Sequence, residues 1–355
     1  MNDKLLQHIR QVVPYTPGEQ PQQQVIKLNT NENPYAPAPE VEEILRTTSV
    51  DKLRLYPDPT CKKLVTALAN YHKVEPEQVF VGVGSDDVIA MCFLTFFNGE
   101  EPILFPDISY SFYEVWANLY RIPFICPALD AEFRINQEDY KVANGGIIFP
   151  NPNAPTAIYE ELDMVEEILQ ANPDVVVIVD EAYIDFAGKS AIELIDKYEN
   201  LIVVQTFSKS RSLAGMRIGY AISNPVLIGY LNAAKHSFNS YTLNQVSLAC
   251  GVASVENKPY FRDQVAEIVR TREWAKEELQ LLGFTFPDAQ ANFIFATHPK
   301  YDAQELFEAL KKANIYVRYF NKERIRSYLR ITIGTREEME VLFAFLREYI
   351  AKQEG

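Results

Sequence analysis

Between residues 79 and 222 the chain gathers its apolar residues into short, nearly unbroken runs: VFVGVG (79–84), PILF (102–105), IPFICPAL (122–129), GGIIFP (145–150), DVVVIVD (174–180), LIVVQTF (201–207) and RIGYAI (217–222). These runs lack the every-other-residue alternation of a half-exposed strand. Stretches with helical periodicity at 60–72, 85–97, 109–119 and 158–171 precede or separate them. Buried strands spaced by helices predict a mostly parallel sheet covered on both faces, a large α/β domain over about 50–255. After residue 255 the texture changes. A long helical pattern at 260–282 ends at Gly283, and ANFIFAT, a helix near 302–313, IYVRYF, YLRITIG and a final helix from 336 describe a smaller α+β domain over 256–355. The first 49 residues form an arm and part of that smaller domain. Within them, 14–40 is rich in Pro, Gln and Asn and cannot bury itself, so it is expected to be solvated or to lie on another surface. A cleft between two domains is the usual layout for a small-molecule enzyme.

Composition narrows the classes. The 355 residues carry 34 Lys and Arg against 48 Asp and Glu, a formal charge of −14, which opposes nucleic-acid binding. Four cysteines without a C-x-x-C pair and four histidines without H-E-x-x-H argue against a disulfide framework, a zinc site or a metal hydrolase. No apolar run approaches membrane-spanning length and the N-terminus lacks the apolar core of a signal peptide, so no membrane partner and a cytoplasmic location are expected.

Four segments at strand ends carry the chemistry, because an open α/β sheet places its ligands there. GVGSDD (82–87) resembles a dinucleotide fingerprint whose third glycine is replaced by Asp87; it reads equally as a strand-to-helix turn capped by Ser85 or Asp86, or as backbone N–H groups for one phosphate. IVDEAYIDF (178–186) ends an apolar strand on Asp180, either a helix-capping residue or a half-buried carboxylate in need of a cation, with Tyr183 three residues on. In VVQTFSKSRSLAGMRIGY (203–220), a core strand empties into Thr206, Ser208 and Lys209, and Arg217 follows. An amine beside hydroxyls and a guanidinium suits a lysine that condenses with a phosphate-bearing aldehyde. FPNPNAPT (149–156) reads as a turn, or as amides facing a ligand.

In this order, G-x-G-S, N-x-P-T, D-E-A-Y and S-K-S…G-M-R-I-G-Y resemble the fold type I pyridoxal-phosphate enzymes of the aspartate aminotransferase superfamily. PYTPGEQP, LNTNENPY, LRLYPDP and YLRITIGTREE make the chain similar, within them, to the histidinol-phosphate aminotransferases. The resemblance implies a mostly parallel seven-stranded sheet between helices plus a smaller α+β domain, pyridoxal 5′-phosphate as cofactor, and a homodimer with shared sites. It implies that Lys209 holds the cofactor and moves the proton between the substrate Cα and the cofactor's C4′. Asp180 would pair with the ring nitrogen, Tyr183 donate to the ring 3-oxygen and Tyr110 stack on the ring. Ser85, Asp86, Thr206, Ser208 and Arg217 would hold the phosphate, with Tyr56 reaching the neighbouring subunit's cofactor. Arg330 would grip the amino acid's carboxylate and Tyr15 close over the substrate phosphate, with Asn29 a further substrate candidate. The chain departs from the family's N-N-P-T-G at Ala154 and Ala157, so Asn153 would take over at the 3-oxygen or leave it to Tyr183. Arg318, Arg324, Arg326 and Arg336 receive no role. The activity implied is amino transfer from L-histidinol phosphate to 2-oxoglutarate in histidine biosynthesis. The alternatives are an aromatic or other amino-acid aminotransferase, or a decarboxylase of a phosphorylated amino acid such as threonine phosphate. A nicotinamide-dependent oxidoreductase would need a third glycine and an acidic residue closing the next strand, and both are missing.

Overall fold

The structure, a computed structural model, describes residues 2–354. Its twelve strands in chain order are β1 (Ile26–Lys27), β2 (Val79–Gly82), β3 (Ile103–Leu104), β4 (Phe124–Ile125), β5 (Ile147–Pro150), β6 (Val177–Asp180), β7 (Leu201–Thr206), β8 (Gly219–Ser223), β9 (Phe293–Thr297), β10 (Ile315–Tyr316), β11 (Arg318–Tyr319) and β12 (Tyr328–Thr332). Seven of them form one sheet in the order β2-β8-β7-β6-β5-β3-β4. Every neighbouring pair is parallel except those made by β8, which runs against both β2 and β7. The apolar runs explain this placement: every residue of β5, β6, β7 and β8 is buried, which requires cover on both faces. One face packs in a cluster with Leu64, Phe149, Val179, Val203 and Ile222, the other in a cluster with Phe80, Phe93, Ile148, Ile178 and Val204. Alternate residues of each strand thus feed opposite layers.

Because β5, β6 and β7 are parallel, Pro150, Asp180 and Thr206 all end at the same edge of the sheet. The helix Gly84–Phe96 starts at that edge directly after β2. Gly219, at the head of β8, permits the contact between them: a Cβ there would stand 2.3 Å from Gly84 C and Ser85 N.

The smaller unit is an antiparallel sheet, β11-β12-β9, with the helices Lys258–Leu281, Ala303–Lys312 and Arg336–Glu354. IYVRYF, read from sequence as one strand, is two: β10 pairs in parallel with β1 of the N-terminal segment, while β11 pairs with β12. The polar stretch 14–40 therefore does lie on another surface, and Leu28, Asn29 and Asn31 are buried there. Residues 38–47 side with the large sheet. The helix Pro39–Thr47 packs against the helix Gln245–Glu256, and Ala38 and Val41 join the first core cluster, so that core starts before residue 50. The helices Pro225–Phe238 and Gln245–Glu256 have no counterpart in the sequence pattern; small, buried residues such as Ser247, Cys250 and Gly251 blur their periodicity. Among the described residues no helix is long and apolar enough to cross a membrane.

Candidate active site

A cavity of about 170 Å³ opens at the carboxyl edge of the large sheet. Nine residues singled out from the sequence line it: Ser85, Asp86, Tyr110, Asp180, Tyr183, Thr206, Ser208, Lys209 and Arg217.

Lys209 lies three residues past the end of β7, and its ammonium donates to Thr30 O at 3.1 Å. Burial, then the positive charge of Arg330, push its amine down to about 8, against the opposing pull of Asp86 and Glu32. A substantial neutral fraction is therefore present near physiological pH, as a nucleophile or proton carrier requires. Asp180 is buried at the end of β6. Tyr113 donates to its Oδ2 at 2.8 Å and the Ala182 N–H to its Oδ1 at 3.2 Å. Desolvation still raises its carboxyl to about 6, despite these two donors. A carboxylate so placed is best matched by a cation brought in by a ligand.

The anion-binding side is built from three elements. Arg217, in a left-handed backbone conformation (φ 53°), pairs with Asp86 at 3.2 Å. Thr206 and Ser208 contribute hydroxyls, 3.0 Å apart. The helix beginning at Gly84 presents its first N–H groups, and its capping need at Val83 N is met by Asp87 at 2.8 Å rather than by Ser85 or Asp86. Gly84 holds a backbone conformation that side chains rarely adopt (φ 83°), and a Cβ there would come within 2.7 Å of Arg217 Nη2. Tyr110 donates to Asp86 at 2.8 Å and lies edge-on to Tyr113.

Several expected residues stand elsewhere. Asn153 does not line the cavity: its amide donates to Ile108 O at 3.0 Å and Thr156 Oγ1 at 2.9 Å, satisfying a buried carbonyl in a turn closed by Ala157 N on Asn153 O. Ala154 takes the wall position, and Ala157 holds the left-handed conformation (φ 66°) in which a glycine is ordinary. Asn29 likewise turns its amide away from this cavity. Its amide donates to Glu19 O and faces a separate cavity; only its carbonyl, accepting from Arg330 Nη2 at 2.9 Å, belongs to the site. Arg330 is held between the rings of Phe293 and Phe320, and its buried Nε has no partner among the described residues, a donor open to a ligand. Tyr15 stacks on Phe112 at 4.3 Å, with Tyr110 6.3 Å away. Tyr56 lies outside its own chain's cavity, 80 % exposed and stacked on Tyr241.

The unassigned arginines find places too. Arg318 donates to Thr16 O on the arm, Arg324 clasps Asp107 and the carbonyls of Leu129 and Asp130, and Arg336 lies on the Trp274 ring. Sequence reasoning missed Tyr113, Asn31 and Thr30. Tyr113 reads as a core aromatic in SYSFY, and Asn31 sits two positions from the asparagine that was chosen instead.

An amine and a buried acid at adjacent strand ends, beside an anion cradle, form the arrangement that a lysine condensing with a phosphate-bearing aldehyde needs. The family model for class I and II aminotransferases matches residues 23–346. The chain belongs to the class I and II aminotransferase family. Within that family it groups with the histidinol-phosphate aminotransferases. It is 49% identical over 344 residues to one from Clostridium botulinum (strain Langeland / NCTC 10281 / Type F), covering 97% of each chain. It is also 49% identical over 348 residues to one from Lactococcus lactis subsp. cremoris (strain MG1363), covering 98% of each. In fold it is similar to the histidinol-phosphate aminotransferase of Sinorhizobium meliloti in complex with pyridoxal-5′-phosphate, with a TM-score of 0.84 at 22% identity over 92% of this chain and 91% of that one. The cavity fits pyridoxal 5′-phosphate: the buried Asp180 carboxylate can face a cationic ring nitrogen, the hydroxyls and Arg217 can hold a phosphate, and Lys209 can offer the amine.

Proposed function

We propose that this aminotransferase moves the amino group of L-histidinol phosphate to 2-oxoglutarate, giving imidazole acetol phosphate and glutamate. The observation that carries the cofactor chemistry is the joint placement of Lys209, Asp180 and Arg217 around one cavity, and the substrate is supported by the 49% identity to histidinol-phosphate aminotransferases over nearly the whole chain. Bound pyridoxal phosphate supplies an electron sink that stabilises the negative charge developing at the substrate α-carbon. Asp180 keeps the ring nitrogen protonated, which its ionised form, present above about pH 6, can do. Lys209 Nζ would carry the proton leaving the substrate α-carbon, and its lowered basicity suits both accepting and giving one. Tyr183 and Tyr110 orient the ring, and Arg330 takes the carboxylate of glutamate and 2-oxoglutarate through its free donor edge. Tyr15, beside Tyr110 and Phe112, serves the phosphate of the other substrate.

The active unit in this reading is a homodimer. Val50, Leu53, Leu55, Tyr56 and Tyr241 are exposed, and a second copy covering them would bring Tyr56 to the neighbour's cofactor. A cytoplasmic location accompanies a biosynthetic role of this kind.

The test is purified chain supplied with pyridoxal phosphate. A visible absorption band should appear, borohydride should fix it to Lys209, and histidinol phosphate with 2-oxoglutarate should yield glutamate. Turnover of phenylalanine without histidinol phosphate would reject the substrate, and carbon dioxide release from threonine phosphate would favour the decarboxylase. Sedimentation at the mass of a single chain would reject the dimer.

A further inference from the structure

Three consecutive residues of the arm touch three different active-site residues. The Asn29 carbonyl accepts from Arg330, the Thr30 carbonyl from Lys209, and the Asn31 amide donates to Tyr183 Oη at 3.0 Å. The third contact differs from the others because it comes from a side chain whose orientation is itself fixed. Asn31 is buried and holds a left-handed backbone conformation (φ 57°). Its main-chain N–H donates to Thr332 Oγ1 at 3.0 Å, and that hydroxyl gives its own proton to Asn31 Oδ1 at 3.1 Å. The Asn31 carbonyl accepts from Asn292 Nδ2 at 3.0 Å. With Oδ1 committed to Thr332, the amide can present only its NH₂ to Tyr183. The phenol oxygen has no other partner among the described residues.

We infer that Asn31 is a positioning residue for Tyr183: by donating to the phenol oxygen it occupies a lone pair and leaves the phenol's single proton for the 3-oxygen of the cofactor ring. A phenol carries one proton and can donate once. Without Asn31 it can rotate and give that proton elsewhere. With an acceptor in place of the amide, the proton is drawn to the wrong side. Asn31 thus acts through Tyr183, and through Thr332 the small-domain strand that carries Arg330 reports to the same phenol. The inference rests on pyridoxal phosphate being the cofactor.

Asn31→Gly removes only the amide. Glycine accepts the left-handed backbone, so both main-chain contacts persist. Asn31→Asp keeps the shape and offers an acceptor, and aspartate also tolerates this conformation. Each variant is made alone and on a Tyr183→Phe background, loaded with pyridoxal phosphate, and read by the pH midpoint of the visible band and by the cofactor's dissociation constant. Losing one hydrogen bond of ordinary strength should move the midpoint by about half a unit or more and weaken cofactor binding about 3- to 10-fold. Asn31→Gly should shift the wild-type background and leave the Tyr183→Phe background unmoved. Asn31→Asp should shift the wild-type background by more than it shifts the Tyr183→Phe background. Equal shifts in both backgrounds for either variant, or no shift from Asn31→Gly where Tyr183→Phe alone gives one, would overturn the assignment. Failure of the wild-type chain to develop any band would instead sink the cofactor reading, so the two failures are told apart.

Discussion

Tyr113→Phe is the sharpest probe of how the site controls its own charge. The substitution deletes one oxygen from a fully buried ring whose packing against Phe93, Phe105, Tyr110 and Trp116 remains. What is lost is the 2.8 Å bond to Asp180 Oδ2. A hydrogen bond to a buried charged group is worth about 1.5–3 kcal/mol, and 1.36 kcal/mol is one pKa unit, so the Asp180 carboxyl should climb about one to two units. From about 6 in the cofactor-free chain it would pass neutrality, leaving a largely uncharged acid opposite the ring nitrogen at pH 7. The sign for stability follows the same shift. A carboxyl raised in the folded state loses stabilisation as pH rises through its folded pKa, and the unfolded state is common to both proteins, so the variant's deficit should be small below about pH 6 and full above about pH 8. The assay is spectrophotometric titration of the cofactor-free protein with pyridoxal phosphate between pH 5.5 and 9. Affinity at pH 7 should fall about 2- to 10-fold, as the ionised fraction drops, and the acidic limb of the binding curve should move up by about one to two units. On an Asp180→Asn background the same substitution should change little. Affinity within twofold of wild type with an unmoved limb would refute the reasoning.

Three further outcomes follow from the geometry. The rate at which cofactor-free protein captures pyridoxal phosphate should rise with pH to a midpoint near 8, because the neutral Lys209 amine is the nucleophile; stopped-flow absorbance giving a midpoint above 10 would contradict the burial argument. Arg330→Lys should raise KM for glutamate about 10- to 100-fold, since an ammonium cannot make the two-pronged contact or keep the Asn29 carbonyl as well; steady-state kinetics with an unchanged KM would remove Arg330 from the carboxylate site. Gly219→Ala should cost about 1–3 kcal/mol in chemical denaturation and weaken cofactor binding further, because the added methyl meets backbone atoms at 2.3 Å; a neutral variant would show that the β8–helix contact is looser than described.

The sheet was legible because every residue of its central strands is buried, which leaves unbroken apolar runs, and because parallel strands deliver their last residues to one edge. Lys209, Asp180 and Arg217 stood out as charges interrupting or ending such runs. Asn153 turns its amide onto a buried carbonyl while its Oδ1 has no partner among the described residues, and nothing in N-P-N-A-P tells which way the amide faces. Tyr113 and Asn31 escaped because their partners lie 67 and 152 positions away, beyond any local pattern. The long run IYVRYF gave no sign that it serves two sheets, since the partner strand β1 is only two residues of a polar segment.

The pairing of β1 with β10, and the grip of Arg330 on a carbonyl 301 positions earlier, impose an order on assembly. The Asn29–Asn31 segment is synthesised before the large sheet and the strands that dock it after, so until β10 and β12 exist the Lys209 amine lacks the Arg330 charge that helps to lower its basicity.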